Sequence, residues 1–179
     1  MVGKLFLIFI YTAGISFIPS SDCGHPSFNC GHPSSVIRHP FSDLNRQAFY
    51  KAMASGSRAL VDAQISLLQT DPGGKYEAFE GALSMKKAGF IGAAHTKIHL
   101  FRDGHKMLES AIRKDTANAE YRFLRLMIQE HAPPFLGYNK DIQKDSEYIR
   151  KMYKYLPEDL QQAIVRYNKK SKNLKLDLS

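Results

Sequence analysis

Residues 119–131 read Ala-Glu-Tyr-Arg-Phe-Leu-Arg-Leu-Met-Ile-Gln-Glu-His and carry the strongest structural signal in this sequence. If it is helical, apolar side chains point in nearly every direction around its axis, and a helix of that kind belongs in the middle of a bundle. Asn118 can cap the first free backbone amides, and Pro133-Pro134 ends the helix because proline donates no backbone hydrogen bond. We therefore predict a central helix over 119–131.

Six further helices are predicted around this central one. In each segment apolar residues recur every three or four positions, and Gly, Pro and Asn clusters separate the segments. No window alternates apolar and polar residues as a strand would, so the sequence predicts an all-α fold of about seven amphipathic helices. Their apolar faces are Leu44, Ala48 and Ala52; Val61, Ile65 and Leu68; Tyr76, Phe79, Ala82 and Leu83; Leu100, Gly104, Leu108 and Ile112 within 94–114; Ile142, Ile149, Met152 and Leu156 within 140–155; and Leu160, Ala163, Ile164 and Tyr167 after Pro157.

The turns between these helices are short, so consecutive helices should pack as antiparallel hairpins. Gly104 is small enough to let a neighbouring helix come close. A curved stack of hairpins and a compact bundle both remain open. We place the helical domain at 43–170 and a polar, basic tail at 171–179, which we expect to fray.

The stretch from Leu108 to Arg122 resembles the junction between tetratricopeptide repeats, where a helix ends in Ala-x-x-x-Asp-Pro-x-Asn before the next one begins. Thr116 stands where that family usually has Pro, and no period of about 34 residues repeats along the chain. The resemblance covers this one junction. It implies a tetratricopeptide-like stack of helices.

Three longer blocks, 81–89, 121–130 and 134–139, look like those of an uncharacterised family of short exported helical proteins from bacteria of the Bacteroidetes group. This resemblance would span about 45–171. It implies a helical fold and an exported protein. It brings no established activity, cofactor or catalytic residue.

Residues 1–21 are predicted to be a secretory signal peptide. Lys4 supplies the positive charge, 5–18 is almost unbroken apolar sequence, and 19–21 is a small segment that ends a helix. The apolar run is too short to cross a bilayer, which needs about 20 residues. We therefore predict an exported protein, periplasmic or secreted, with no transmembrane segment in the mature chain.

Residues 22–42 read as a linker rich in Pro, Gly and Ser, in which Cys-Gly-His-Pro-Ser occurs twice. A disulfide between Cys23 and Cys30 is the simplest expectation outside the cytoplasm. A metal site is a weaker candidate, and a lipoprotein anchored at Cys23 is a further alternative, which Asp22 disfavours. The potential metal ligands are Cys23, His25, Cys30 and His32.

Arg122, Arg125 and Gln129, which we call the Arg strip, are the polar positions along one side of the central helix. Buried arginine needs a carboxylate. The strip could be a groove that binds the carboxylate or phosphate of a ligand bidentately, or a structural ion-pair network between helices. The carboxylates available on nearby helices are Glu77, Glu80, Glu109 and Glu130.

The last third of the chain interleaves tyrosines with Lys and Arg, a composition favoured at protein interfaces. Tyr138 is the tyrosine that we add to the Arg strip as a candidate ligand-binding residue. Half-buried tyrosines at helix edges are the alternative. The tyrosines are Tyr138, Tyr148, Tyr153, Tyr155 and Tyr167.

His95 and His99 are four residues apart and so share a helix face, as a helical metal pair would. Thr96 occupies the position at which a metalloprotease helix carries its catalytic Glu. Two exposed histidines without a ligand are the alternative interpretation.

Charge and missing motifs argue against two classes of function, nucleic-acid binding and catalysis. Lys and Arg outnumber Asp and Glu by 25 to 17, yet no basic run reaches the roughly five to eight residues of a nucleic-acid patch, so no nucleic-acid partner is predicted. Motifs for a nucleophile or a phosphate loop are also missing, and catalysis is unsupported. We predict a non-catalytic protein without a cofactor that binds a protein or peptide in the cell envelope. The alternative is a small-anion or metal-handling binder, or an enzyme, built on the Arg strip or the Cys-His repeat.

Overall fold

Helices are the regular secondary structure of the part of the chain that the structure describes. A computed structural model describes residues 44–70 and 73–177, and these contain seven α-helices and no β-strand. The predicted all-α fold of about seven helices is confirmed. The helices are α1 (Arg46–Ala54), α2 (Arg58–Leu68), α3 (Glu77–Ala88), α4 (Ala94–Lys114), α5 (Ala119–Gln129), α6 (Ile142–Met152) and α7 (Glu158–Asn168), with 3₁₀ turns at Pro134–Leu136 and Tyr153–Tyr155.

The signal peptide predicted at 1–21 and the linker predicted at 22–42 lie outside the described residues, and so do Cys23, His25, Cys30 and His32. Among the seven helices given above, none has the length and the apolar character that crossing a bilayer requires.

α5 lies at the centre of the packing, as its sequence predicts. It begins at Asn118, whose side chain accepts hydrogen bonds from two first-turn amides at 3.1 and 3.2 Å. The helix packs against α3, α4 and α6. The fully buried ring of Phe123 has its centroid 5.5 Å from those of Tyr50 on α1 and Tyr167 on α7. The core is therefore continuous from the first helix to the last, and burying each such ring contributes about 1.5–3 kcal/mol.

α3 and α4 pack antiparallel and meet through two glycines, Gly81 and Gly104. A Cβ atom built on Gly104 would lie 2.5 Å from the carbonyl oxygen of Gly81, and one built on Gly81 would lie 2.6 Å from the carbonyl oxygen of Gly104. Real Cβ contacts are not that short, so the two backbones touch only because neither residue has a side chain. The prediction that Gly104 admits a close neighbour is confirmed.

The first and last helices also pack against each other, because α1 contacts α7. Arg46 on α1 donates from Nη1 to Oδ2 of Asp159 on α7 at 3.1 Å. In an open stack each helical hairpin contacts only its neighbours, and the ends stay apart. The described domain is therefore a closed bundle, which was one of the two arrangements that the sequence left open.

The predicted fraying of the C-terminal tail is wrong for residues 171–177. Leu174 is completely buried in the core. Glu130, just after α5, accepts hydrogen bonds from the Ser171 hydroxyl at 2.8 Å and from the Asn173 backbone amide at 3.0 Å. The Leu176 amide donates to the Asn168 side chain at 2.9 Å. One apolar side chain and a few polar bonds are enough to dock a segment that reads as polar.

Candidate functional site

Arg125, in the middle of α5, is buried and bonded to carboxylates from two other helices. Its Nε and Nη2 donate to the two oxygens of Asp145 on α6 at 2.7 and 2.8 Å. Its Nη1 donates to Oε2 of Glu109 on α4 at 3.0 Å, and an oxygen of Asp141 lies 3.7 Å from that nitrogen. The bidentate pair with Asp145, whose side chain has no exposed surface, is the strongest geometry available to arginine.

Arg122 lies one turn earlier on α5 and shares the same carboxylate. Its Nη1 donates to Oδ1 of Asp145 at 3.1 Å, and its Nε and Nη2 donate to the carbonyl oxygen of Thr116 at 3.1 and 2.7 Å. The guanidinium carbon lies 4.5 Å from the centroid of the Tyr148 ring, within the range of a cation–π contact. All three of its nitrogen atoms therefore have a partner inside the protein.

The electrostatics of the Arg strip keep Arg125 charged. Burial by itself lowers the pKa of a guanidinium, because it penalises the cation. The hydrogen bonds and charge of Asp145, with the charges of Glu109 and Asp141, outweigh burial and raise the pKa of Arg125 above its ordinary value. The Arg125 guanidinium therefore stays a cation, and it is unsuited to proton transfer.

Tyr138, the residue that the sequence adds to the Arg strip, joins it through Glu109. Its hydroxyl donates to Oε1 of Glu109 at 2.7 Å, so this carboxylate bonds Tyr138 and Arg125 together. Burial, the negative charge of Glu109 and this hydrogen bond raise the pKa of Tyr138 well above its ordinary value. The phenol is therefore a fixed hydrogen-bond donor, and its ring packs against that of His105 with centroids 4.4 Å apart.

Gln129 lies at the end of the strip without a polar partner. It is 3% exposed, and neither atom of its side-chain amide has a hydrogen-bond partner among the described residues. The hydroxyl of Ser146 on α6 is buried in the same condition. An unbonded buried polar group costs about 1–3 kcal/mol. A side chain this deeply buried cannot line an open groove.

The geometry favours the structural interpretation of the Arg strip over the ligand groove. Every nitrogen of both guanidinium groups is already bonded within the protein. The side chains of Arg122 and Arg125 are also only 11% and 6% exposed, so neither guanidinium presents an open edge to the carboxylate or phosphate of a ligand, which is what the groove requires. The strip as placed joins α5 to α4 and α6, and its charges are already balanced by carboxylates inside the protein.

The partners of the strip are only partly those that the sequence suggests. Of the four predicted carboxylates, Glu109 reaches the strip. Glu77 pairs with Lys114 at 2.6 Å, Glu80 accepts from Gln69, and Glu130 holds the tail. Sequence reasoning misses Asp145, the main partner. The available signal was the spacing of Asp141 and Asp145, four residues apart at the start of a predicted helix.

A second buried network escapes the sequence analysis altogether. Arg46 on α1 donates to both oxygens of Glu120 on α5 at 2.8 and 3.0 Å, and the Tyr50 hydroxyl donates to the same carboxylate at 3.1 Å. Burial raises the pKa of Glu120, and the bonds from Arg46 and Tyr50 oppose that effect. Because 74 positions separate Arg46 from Glu120, no local pattern could reveal the pair.

The predicted tyrosine-rich end does not come together as one surface. Tyr148 stacks on Arg122, Tyr167 is buried and donates to Glu130 at 2.5 Å, and Tyr155 is largely exposed. Tyr153 borders a shallow, open depression along α7. The other residues that line it are Glu158, Gln161, Gln162, Val165 and Arg166.

We compared the chain with models of protein families, with curated proteins and with solved structures, and none of the three comparisons found a match.

Proposed function

We propose that this chain is a non-catalytic, exported helical protein that binds a protein or peptide in the cell envelope. One observation supports the proposal most. The charged side chains best suited to hold a small ligand are bonded to one another inside the bundle, whereas several large apolar side chains face solvent. Leu67, Tyr155 and Phe135 are 61%, 71% and 78% exposed. Exposed aromatic and aliphatic groups suit a macromolecular partner better than a small anion.

Phe135 is the best anchor for such a partner. It lies in the 3₁₀ turn over Pro134–Leu136, directly after Pro133 and Pro134. The two prolines restrict the backbone of this turn, so little backbone freedom is left to lose when a partner binds the exposed ring. Aromatic side chains that fill a pocket of the partner typically dominate the energy of an interface.

Photo-crosslinking from position 135 tests the binding part of the proposal. A photoreactive phenylalanine analogue replaces Phe135 in the full chain, and the same analogue replaces Lys106, whose side chain is 77% exposed, as a matched control. We expect a discrete crosslinked species in envelope extract from position 135 and none from position 106. Unlabelled Phe135→Ser should fail to compete for that species, whereas Lys106→Ser should compete fully. Equal crosslinking from both positions would overturn the proposal.

The export part of the proposal is supported by the sequence of residues 1–21 and by the resemblance to short exported helical proteins. Expression of the full chain with a C-terminal tag in a bacterium with two membranes, followed by fractionation and intact mass measurement, tests it. We expect a chain shortened by about twenty residues in the periplasm. A full-length chain in the cytoplasm would contradict it.

A further inference from the structure

His95 and His99 lie on the first two turns of α4, on the solvent side of the bundle. Both side chains are exposed. Their Nε2 atoms are 3.1 Å apart, and their ring centroids are 4.3 Å apart with the planes tilted by 54°. The helical backbone thus already brings one nitrogen of each ring to the same point in solvent.

That distance is the one that two ligands of a single metal ion need. Imidazole nitrogens bind Zn²⁺ or Cu²⁺ at about 2.0–2.1 Å. Two such nitrogens are roughly 2.9 Å apart when the angle at the metal is a right angle, and roughly 3.4 Å apart when it is tetrahedral. The observed 3.1 Å lies between these limits, so the two nitrogens are already spaced as two ligands of one ion would be.

From this geometry we propose that His95 and His99 form a binding site for one divalent late transition-metal ion, of the Cu²⁺ or Zn²⁺ class. Neutral imidazoles suit these ions, whereas Mg²⁺ and Ca²⁺ prefer oxygen ligands. The rest of the coordination sphere is open to water or to a donor from a binding partner. Across 44–70 and 73–177 no three His, Cys, Asp or Glu side chains group in a way that could hold a metal, so the site has two protein ligands.

The surroundings leave room for the ion and offer a built-in control. Asp103 lies one further turn along the same face of α4 with 66% of its side chain exposed, and it adds a nearby negative charge. His105, the next histidine along the chain, packs its ring against Tyr138 and takes no part in the pair. A direct N–H···N hydrogen bond between His95 and His99 also fits 3.1 Å, so the experiment must separate a bond between the rings from a site for metal.

The test uses the full chain with the repeat near the N-terminus silenced by Cys23→Ser, His25→Asn, Cys30→Ser and His32→Asn. Cu²⁺ and Zn²⁺ are titrated by calorimetry, and electron paramagnetic resonance counts the nitrogens bound to Cu²⁺. We expect one ion per chain with two imidazole nitrogens. His95→Asn and His99→Asn should each weaken binding at least about tenfold, because one imidazole alone does not chelate. The double variant should bind no more tightly than either single variant.

The matched control is His105→Asn, which should bind both ions as the parent chain does. Circular dichroism confirms that each variant is folded, and the exposed positions of His95 and His99 make loss of folding unexpected. Three results would overturn the site: binding that survives both single substitutions, a Cu²⁺ spectrum with one imidazole nitrogen, or equal loss of binding in His105→Asn. None of these results bears on whether Phe135 binds a partner.

Discussion

Two helix pairs in this bundle are joined in opposite ways. α3 and α4 meet where Gly81 and Gly104 bring backbone against backbone, and the contact depends on side chains that are missing. α5 and α6 meet where the long side chain of Arg125 holds Asp145 in a bidentate ion pair, and the contact depends on a charge on each side. The first joint fails when an atom is added, and the second fails when a charge is removed.

The difference shows which contacts determine how the helices pair with one another. Glycine against glycine fixes how close two helices come, but any apolar helix with a small residue could take part. The ion pair works only with the right partner at the right position, since an unpaired buried charge is far more costly than a poor apolar contact. α5 depends on both apolar packing and specific ion pairs, because it is apolar on most sides and carries the buried charges Glu120 and Arg125.

The ionic joint should show the largest loss when it is broken. Asp145→Asn removes the charge that Arg122 and Arg125 share, so we expect the free energy of unfolding to fall by about 3–5 kcal/mol. Urea denaturation followed by circular dichroism measures it. Asp103→Asn is the matched control, because Asp103 is 66% exposed and its loss should change stability by no more than about 0.5 kcal/mol. Equal effects in the two variants would show that the buried pair adds nothing.

The glycine joint should show the next largest loss. Gly104→Ala places a Cβ atom against the backbone of α3. Backbone atoms cannot move aside as the end of a flexible side chain could. We expect a loss of about 1–3 kcal/mol from overpacking, although alanine is the better helix former by about 1 kcal/mol. Gly92→Ala, with no atom within 4 Å of its new Cβ, should leave the midpoint of thermal unfolding nearly unchanged. A Gly104→Ala protein as stable as the parent would contradict the close approach.

The tail offers an intermediate case, in which one carboxylate meets uncharged donors. Glu130→Gln should cost about 1–2 kcal/mol, because Gln keeps an oxygen acceptor but loses the charge that strengthens these hydrogen bonds. It should also speed hydrogen exchange at the Leu174 and Leu176 amides while sparing α5. Glu158→Gln, an exposed change in α7, is the control. Unchanged exchange at 174–176 would show that Leu174 alone holds the tail.

The hydrogen bonds between Glu130 and the tail also predict that stability of the tail depends on pH. Burial tends to raise the pKa of Glu130, but hydrogen bonds from Tyr167, Asn173 and Ser171 outweigh it and lower the pKa below 4.5. A carboxyl whose pKa is lower in the folded protein stabilises the fold above its ordinary pKa, and this contribution is lost as the pH falls through the folded value. Proteolysis of the tail by an acid-active protease should therefore accelerate in the parent chain below about pH 4.5 and much less in Glu130→Gln.

The smallest effect is expected where an ion pair is exposed. Arg58 and Asp62 on α2 lie 3.3 Å apart with both side chains in contact with solvent. Arg58→Ala should change the free energy of unfolding by less than about 0.5 kcal/mol, because water screens the pair and its side chains lose conformational freedom in forming it. A loss as large as that from Asp145→Asn would mean that charge, rather than burial, decides the comparison.

Most of the correct predictions from the sequence came from features that lie within a few neighbouring residues. The apolar residues around α5, the cap at Asn118 and the missing side chain of Gly104 are each visible within a few residues, and the structure confirms all three. Helix periodicity is itself local, which is why the all-α class followed from the sequence.

Pairings between distant segments could not be predicted in the same way. A buried Arg125 requires a carboxylate, but whether that carboxylate is Asp145 or Glu130 depends on the position of α6. No local sequence pattern indicates that position. Leu174 is a lone apolar residue among polar ones, so it gave no periodic signal and its burial was missed. The role of the candidate site could not be predicted either, because tertiary packing decides whether a guanidinium faces solvent or is paired inside the protein.

The buried position of Leu174 also bears on the order of events during synthesis. Translation proceeds from the N-terminus, so this residue leaves the ribosome after all seven helices have been made. Until then the place it fills next to the core is open to water, and Glu130 lacks two of its donors, Ser171 and Asn173. A nascent chain halted before this point carries α1 to α7 and still lacks the contacts of residues 171–176. Completion of the bundle therefore waits for residues 171–176, and a product truncated before them should be the form most readily degraded.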